Sequence, residues 1–375
     1  MSEEVETVVQ TVESVEVVNK YQMAAEVSNR VLKKVIESAV DGAMIIDLCA
    51  MGDKLIDDGV KVLFSKAKNI SKDPEGSDVL KNGDLVKIQL GAQVDGFAAI
   101  VASTFVVGAT KEKPVEGKLA DVLMAAHWAS EAALRLIKPG LSNIKVTETI
   151  QKIAKAYGTN SVEGMLSYQQ EKNIIEGKKQ IILNPSDFQK REHETVEFSE
   201  NEVYGVDILI STGEGKPKAS NKRVTVYKKT DNTYLLKMKT ARLIFNEISQ
   251  KFGPFPFPLR ALEDEKKARM GILECSSHSL VSPYEVYQEK EGEFVAQFFN
   301  TVLLTKNGSI KITNTLFNPE AIKSDKKIED EEILKLLATN LKPSKKKIKK
   351  KKAGSGDQGD VVAAEDGKET SAAPS

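Results

Sequence analysis

The chain is poor in the residues that staple or metallate a protein. Its 375 residues include two cysteines and three histidines. Cys49 and Cys275 lie far apart in sequence, which excludes a disulfide framework and a zinc site of CxxC type. His127 sits beside Trp128 in a helical stretch, His193 in a charged loop and His278 in a serine-rich turn. None has a ligand-like neighbour at metal spacing, so structural roles are expected for all three. No apolar run approaches the roughly 20 residues that span a bilayer. The opening MSEEVETVVQ is acidic and lacks a basic n-region before an apolar stretch, so no secretory signal is read. A soluble, intracellular chain with no membrane partner is expected. Neither GxxxxGK[ST] nor GxSxG occurs, and Gly213-Glu214-Gly215-Lys216 follows a strand pattern without opening a helix. With 41% hydrophobic and 29% charged residues, the chain is nonetheless globular in composition.

What is abundant is charge, unevenly placed. Lys+Arg and Asp+Glu both number 54, yet eight lysines and no acid fall between Lys342 and Lys352. From Lys216 to Arg269 there are fourteen Lys/Arg against five Asp/Glu. The remainder is strongly acidic. Two basic blocks in an otherwise acidic chain are candidate footprints for a polyanion, although a charge run is also the ordinary dress of a solvated face.

Periodicity divides the chain into two similar halves. Tyr21 to Ala39 carries Val27, Val31 and Val35 on one helical face, and Asp41-Gly42 ends it. A second helix is expected over Leu48 to Phe64. Strands follow at Leu85–Leu90 and Gly96–Val107, joined near Gln93-Val94-Asp95-Gly96. The pattern recurs with helices at Leu119–Ile137 and Val146–Tyr157, broken at Pro139-Gly140. Strands are then expected at Gln180–Leu183, Glu202–Ile210, Arg223–Lys228 and Phe294–Leu304. A helical stretch, Lys237–Phe252, ends at the proline cluster Gly253 to Pro258, and a short helix Leu259–Arg269 follows. Leu235, Leu236, Met238, Leu243, Ile244 and Ile248 are expected to face a core. A last helix spans Glu329–Ala338. The expected organisation is a flexible acidic N-terminus over 1–18, an α+β domain over 19–342 with an insert at about 229–270, and a disordered lysine-rich tail over 343–375.

The segments KNGDLVKIQLGAQVDGFAAIVASTFVV, EGMLSYQ, NEVYGVDILISTGEG and EGEFVAQFFNTVLL resemble, in that order, the metal-site segments of type II methionine aminopeptidases. LKMKTAR, FPLRALEDEKKARMGILEC and YQEKEGEFVAQF are similar to a non-peptidase branch, the proliferation-associated and ErbB-receptor-binding proteins. The resemblance covers about residues 18–340 and the lysine tail. It implies the pita-bread fold: two pseudo-symmetric halves around a curved antiparallel sheet, with a helical insertion. The peptidases hold two divalent ions with five protein ligands. Those ligand positions fall here on Gln89, Ile100, Met165, Asp207 and Phe299, of which Asp207 alone is a carboxylate. One carboxylate cannot balance two divalent charges. The resemblance therefore implies an inactive aminopeptidase relative that needs no cofactor. The family also carries a further segment where Lys72 here runs directly into Asp73.

The branch implies binding to DNA, curved DNA in its yeast member, and also to structured RNA and ribosomal particles. The residues expected to meet phosphates are Lys228, Lys229, Lys237, Lys239, Arg242, Lys251, Arg260, Lys266, Lys267 and Arg269 in the insert. In the tail they are Lys345, Lys346, Lys347, Lys349, Lys350, Lys351 and Lys352. Such contacts give affinity with little sequence information, so a preference for curvature would be shape readout. An alternative is an adaptor whose former substrate pocket, lined by Ile100, Met165 and Phe299, holds a partner peptide. A monomer in nucleus and cytoplasm is expected, KKKIKKKK serving as nuclear signal, phosphate clamp or both.

Overall fold

A computed structural model describes residues 10–63, 78–306 and 308–341. The first half opens with α1 (Val15–Ser38) and α2 (Ile45–Leu63), then the hairpin β1 (Leu85–Val94) and β2 (Phe97–Val106). The second opens with α3 (Gly117–Leu136) and α4 (Asn143–Ala156), then β3 (Asn160–Ser161), β4 (Leu166–Gln170) and β5 (Gln180–Ile182). After α5 (Asp187–Glu192) comes the long strand β6 (Val203–Ser211). The insert contains β7 (Lys218–Ala219), β8 (Val226–Lys229), α6 (Lys239–Lys251), β9 (Phe257–Pro258), α7 (Glu265–Ser277), β10 (Val281–Pro283) and β11 (Tyr287–Gln288). The chain then returns through β12 (Val295–Thr305) and β13 (Gly308–Lys311) to α8 (Glu331–Leu337).

The halves meet in one antiparallel sheet of order β1-β2-β12-β6-β4-β5, with β13 beside β12 and β3 beside β6. The internal repeat shows in the backbone. Gly42 and Gly140, each three residues past the C-cap of α1 or α3, take φ of +82° and +83° in the turn to the next helix, and their amides donate to the Leu80 and Phe198 carbonyls. In β6, Val206, Ile208 and Ile210 alternate onto the α3/α4 side, where Phe298, Val302 and Leu304 of β12 join them in the main core. The opposite face of these strands is left for the site.

Helix α1 begins at Val15 rather than Tyr21, and Val12 and Val17 are buried with Tyr21, Val203 and Leu303. The expectation of a flexible N-terminus is thus corrected for residues 10–18. Glutamates between these valines hide their period, but long-range contacts bury them all the same. The expectations for residues 1–9 and 343–375, and for the junction at Lys72, fall outside the described residues.

The insert has its own core, in which Tyr227, Leu236, Ile244, Ile248, Phe257 and Ile272 pack together. That core runs to Val281, so the insert extends beyond the expected 229–270. The expected helix Leu259–Arg269 is instead a 3-10 turn, Leu259–Ala261, followed by α7, whose N-cap Asp264 accepts from the Lys267 amide. Helices α6 and α7 touch closely at Gly271. A Cβ there would lie 3.1 Å from Ile244 Cγ1 and 3.2 Å from the Ala241 Cα. The expected start of α6 at Lys237 moves to Lys239, with Met238 as N-cap. Leu236, Ile244 and Ile248 are buried as expected, whereas Leu235, Met238 and Leu243 are exposed.

Candidate functional site

Strand register brings four of the five positions singled out by sequence onto one face of the sheet. Phe299 on β12 lies opposite Asp207 on β6 and opposite Ala102 on β2. Gln89 on β1 is also paired with Ala102, and Ile100 is paired with Gly91. Because Phe298 points into the α3/α4 core, Phe299 points to the other side, and Gln297 with it. Met165 precedes β4, where its carbonyl accepts from the Leu183 amide at 2.8 Å and its side chain packs against the main core.

Hydrogen bonding links three polar side chains of this face, whereas the buried amide of Gln170, beside Gly205 and Phe299, has no partner among the described residues. Gln297 Nε2 donates to Gln89 Oε1 at 3.0 Å and to Asp207 Oδ1 at 2.8 Å. The Asp207 amide donates to Ser167 Oγ at 2.8 Å. Burial pushes the Asp207 carboxyl up to about 7, opposed by the Gln297 hydrogen bond and by the charge of Lys87. Burial likewise pulls the Lys87 amine down, with Asp207 acting against it. The Phe299 ring lies over Gly205, where a Cβ would sit 2.7 Å from Cζ. Gln297 escaped the sequence reading. Its signal was its place two residues before Phe299, which puts both on one face of a strand.

The residues present do not fit a pair of divalent ions. Asp207 is the sole carboxylate among the five positions, it is tied to a glutamine amide, and Phe299 puts an aromatic ring beside it. Among the described residues no group of three or more His, Cys, Asp or Glu could hold a metal. The histidines are structural in character: His127 stacks on Phe317 with centroids 3.9 Å apart, and His193 meets Asn143. A cleft of about 610 Å³ opens from Gln89 along β1 to α2, where Ile45, Leu48 and Ile56 line it.

In the insert, many expected phosphate contacts already have partners. Lys228 pairs with Glu176 at 2.6 Å, Lys251 with Glu247 at 2.6 Å and Lys267 with Asp264 at 2.9 Å. Arg269 pairs with Glu265 at 2.7 Å. Arg260 grips Asp53 of α2 through Nε at 2.7 Å and through a second nitrogen at 3.2 Å. Lys229 lies over the Phe245 ring, and Arg242 donates to the Leu236 carbonyl. Lys266 also has an interaction partner. Lys237 and Lys239 are exposed, and among the described residues neither forms a side-chain ion pair. The basic block is therefore less positive than its lysine count suggests, because acids one turn away or across the fold offset it. The tail lysines lie outside the described residues.

Residues 19–207 match the metallopeptidase family M24. The chain is 47% identical over 359 residues to a curved DNA-binding protein of Schizosaccharomyces pombe, covering 90% of this chain and 93% of that one. It is 43% identical over 366 residues to ErbB-3 binding protein 1 of Arabidopsis thaliana, covering 91% of each. A methionine aminopeptidase of Methanothermobacter thermautotrophicus is 26% identical over 310 residues, covering 80% of this chain and 99% of that one. Among solved structures, a thermophilic Arx1 superposes with a TM-score of 0.80 at 35% identity, covering 88% of this chain and 99% of that one. A methionine aminopeptidase from Thermotoga maritima shares the fold, with a TM-score of 0.53 at 15% identity over 82% of this chain and all of that one. The two halves around an antiparallel sheet are thus the pita-bread fold, with a helical insert. The chain belongs to metallopeptidase family M24, in the branch that holds the curved DNA-binding and ErbB-3-binding proteins.

Proposed function

We propose that this protein is a non-enzymatic nucleic-acid binder on a peptidase scaffold, and that it reads DNA by shape with a preference for curved duplexes. The observation that carries the reading is the 47% identity, along 90% of the chain, to a protein named for binding curved DNA. The inner face supports the non-enzymatic half. Gln89, Ile100, Met165, Asp207 and Phe299 stand where the peptidases need metal-binding oxygens and an imidazole, and Gln297 ties up the one carboxylate. On this reading Lys237, Lys239 and the tail lysines make the phosphate contacts, and Lys267, whose pair with Asp264 is exposed, contributes by exchanging acid for phosphate. Exposed ion pairs are worth about 0–1 kcal/mol each, so that exchange costs little. Pre-bent DNA lowers a bending cost of order 1–6 kcal/mol for a short site, and this is where curvature enters. Structured RNA and ribosomal particles offer the same phosphates. The protein acts as a monomer in nucleus and cytoplasm.

The test is a gel-shift titration of curved and straight duplexes of equal length at graded salt, with a structured RNA in parallel. Tighter binding of the curved duplex at every salt is expected. Equal affinity for both duplexes overturns shape reading, and preference for the RNA moves the function to RNA. In the same preparation, cobalt, manganese or zinc should release no methionine from a Met-Ala peptide.

A further inference from the structure

Strand β1 is the outer strand of the large sheet, bonded among the described residues to β2 and to no other strand. Its hairpin turns at Asp95-Gly96, so Val94 and Phe97 close the ladder, and alternate residues back from Val94 turn their amides and carbonyls to β2. Three contacts fix that phase. The Val107 amide donates to the Asp84 carbonyl at 3.0 Å. Ser28 Oγ bridges the Ala92 amide, at 3.0 Å, and the Ala99 carbonyl, at 2.8 Å. The Ile100 amide donates to Thr301 Oγ1 on β12, and that hydroxyl donates back to the Ile100 carbonyl. Gly91, opposite Ile100, therefore faces away from β2. By the same alternation Leu85, Lys87 and Gln89 also aim their backbone groups outward, and among the described residues nothing pairs with them.

The cleft of about 610 Å³ runs along this edge. Leu48 and Ile56 of α2 line it and share an apolar cluster with Ile88 and Leu90. Its ionised lining groups are spent, with one exception. Asp53 is held by Arg260, Glu293 by Lys118 at 2.9 Å, and Asp84 accepts from the Lys81 amide at 2.8 Å. Lys87 forms no ion pair among the described residues, and Asp207, whose charge reaches it, is buried and bonded to Gln297.

We infer that this edge binds an extended peptide segment of a partner protein, which adds a strand beside β1 and alternates apolar with acidic side chains. A free strand edge offers donors and acceptors in turn, and another strand satisfies both. Successive side chains of that strand point to opposite faces. One set meets Leu48 and Ile56 on the α2 face. The other, on the face of Lys87 and Gln89, brings a carboxylate to Lys87. Nucleic acid fits the edge less well, because phosphates would satisfy the lysine and the amides but leave the carbonyls of Leu85, Lys87 and Gln89 unmet. A cleft of this volume suits a short peptide, not the sheet edge of a second copy. The site is separate from the insert lysines assigned to phosphate, so either reading can fail without the other.

The experiment uses the full chain and a capped, fluorescent heptapeptide of alternating valine and glutamate. Two further peptides carry N-methyl groups, one on the valine amides and one on the glutamate amides. A strand faces its neighbour with alternate amides, so one methylated form should lose about tenfold or more and the other less than about twofold. Glutamine in place of glutamate should weaken binding, and Lys87→Ala should remove that difference, with circular dichroism reporting an unchanged fold. Hydrogen exchange reads the edge directly. In the free chain the Lys87 and Gln89 amides should exchange faster than those of Ile88 and Leu90, and the peptide should slow them. Equal loss in both methylated forms, as when an acidic peptide merely meets the lysine tail, overturns the proposal. So do Lys87 and Gln89 amides that are already slow in the free chain, because the edge is then covered by the chain itself or by a second copy. A glutamate preference that survives Lys87→Ala overturns the acidic pattern.

Discussion

The inner face of the large sheet and the outer face of the insert have exchanged the usual habits of interior and surface. On the inner face Gln297 spends its amide protons on Gln89 and Asp207, and the buried side-chain amide of Gln170, beside Phe299, has no hydrogen-bond partner among the described residues. On the insert, apolar side chains that would ordinarily seek a core stand in water beside free lysines. A site that performs chemistry keeps unmet charge inside. A site that binds macromolecules keeps unmet apolar and basic surface outside. The nucleic-acid-binding surface proposed above accordingly lies on the insert and not on the inner face of the sheet.

The largest effect should come from separating the two cores. Ile248 is buried among Ala241, Ile244, Phe257 and Ile272, away from the main core. Ile248→Ala should cost about 2–5 kcal/mol, the usual range for such a truncation. If the insert is an independent unit, the loss should fall on it. Hydrogen exchange should speed over 226–283 and stay slow in β6 and β12. Uniform acceleration throughout would merge the two cores into one cooperative unit.

The parts of this comparison differ in how legible they were. The hairpin of β1 and β2 follows from alternation around Asp95-Gly96, and the paired glycines at 42 and 140 announce the repeat, because both signals are local. Tertiary choices were hidden. Apolar residues cover α6 on more than one side, so its sequence cannot say that Ala241, Ile244 and Ile248 are the inward stripe while Leu243 faces out. Gln297 was similarly silent, since its two bonds reach residues 208 and 90 positions away. Nor does a run of lysines declare its partners: Arg260 finds Asp53 across 207 residues.

The next effect sharpens the inner face. Asp207 is buried, and its carboxyl is pushed up to about 7 in the folded chain from 3.8. A raised carboxyl favours the fold while protonated. That contribution is complete below pH 3.8, fades as pH rises and is lost above about pH 7. Asp207→Asn keeps a neutral side chain at every pH. The variant should therefore gain stability over the parent between pH 4 and 8, by at most about 4 kcal/mol at about 1.36 per pKa unit. Chemical denaturation of both proteins across that range measures the difference. A flat difference would mean that Lys87 or water already compensates the buried charge, and the inner face would then be less closed than its hydrogen bonds indicate.

The smallest effect concerns the joint between the two regions. Arg260 and Asp53, each about a third exposed, form a two-bonded pair between the insert and α2. Partial exposure discounts such a pair, so a double-mutant cycle on Arg260→Ala and Asp53→Ala should return a coupling of about 0.2–1 kcal/mol, smaller at high salt. The same variants distinguish two roles for Arg260. An anchor leaves DNA affinity unchanged when Arg260→Ala is compared with Asp53→Ala, because both merely loosen the joint. A phosphate contact behaves asymmetrically: Arg260→Ala weakens binding and flattens the salt slope, whereas Asp53→Ala strengthens binding by freeing the arginine. The two hydrogen bonds to Asp53 favour the anchor, and equal affinities for the two variants are expected. An asymmetric pair would return Arg260 to the binding surface and extend that surface across the cleft to α2.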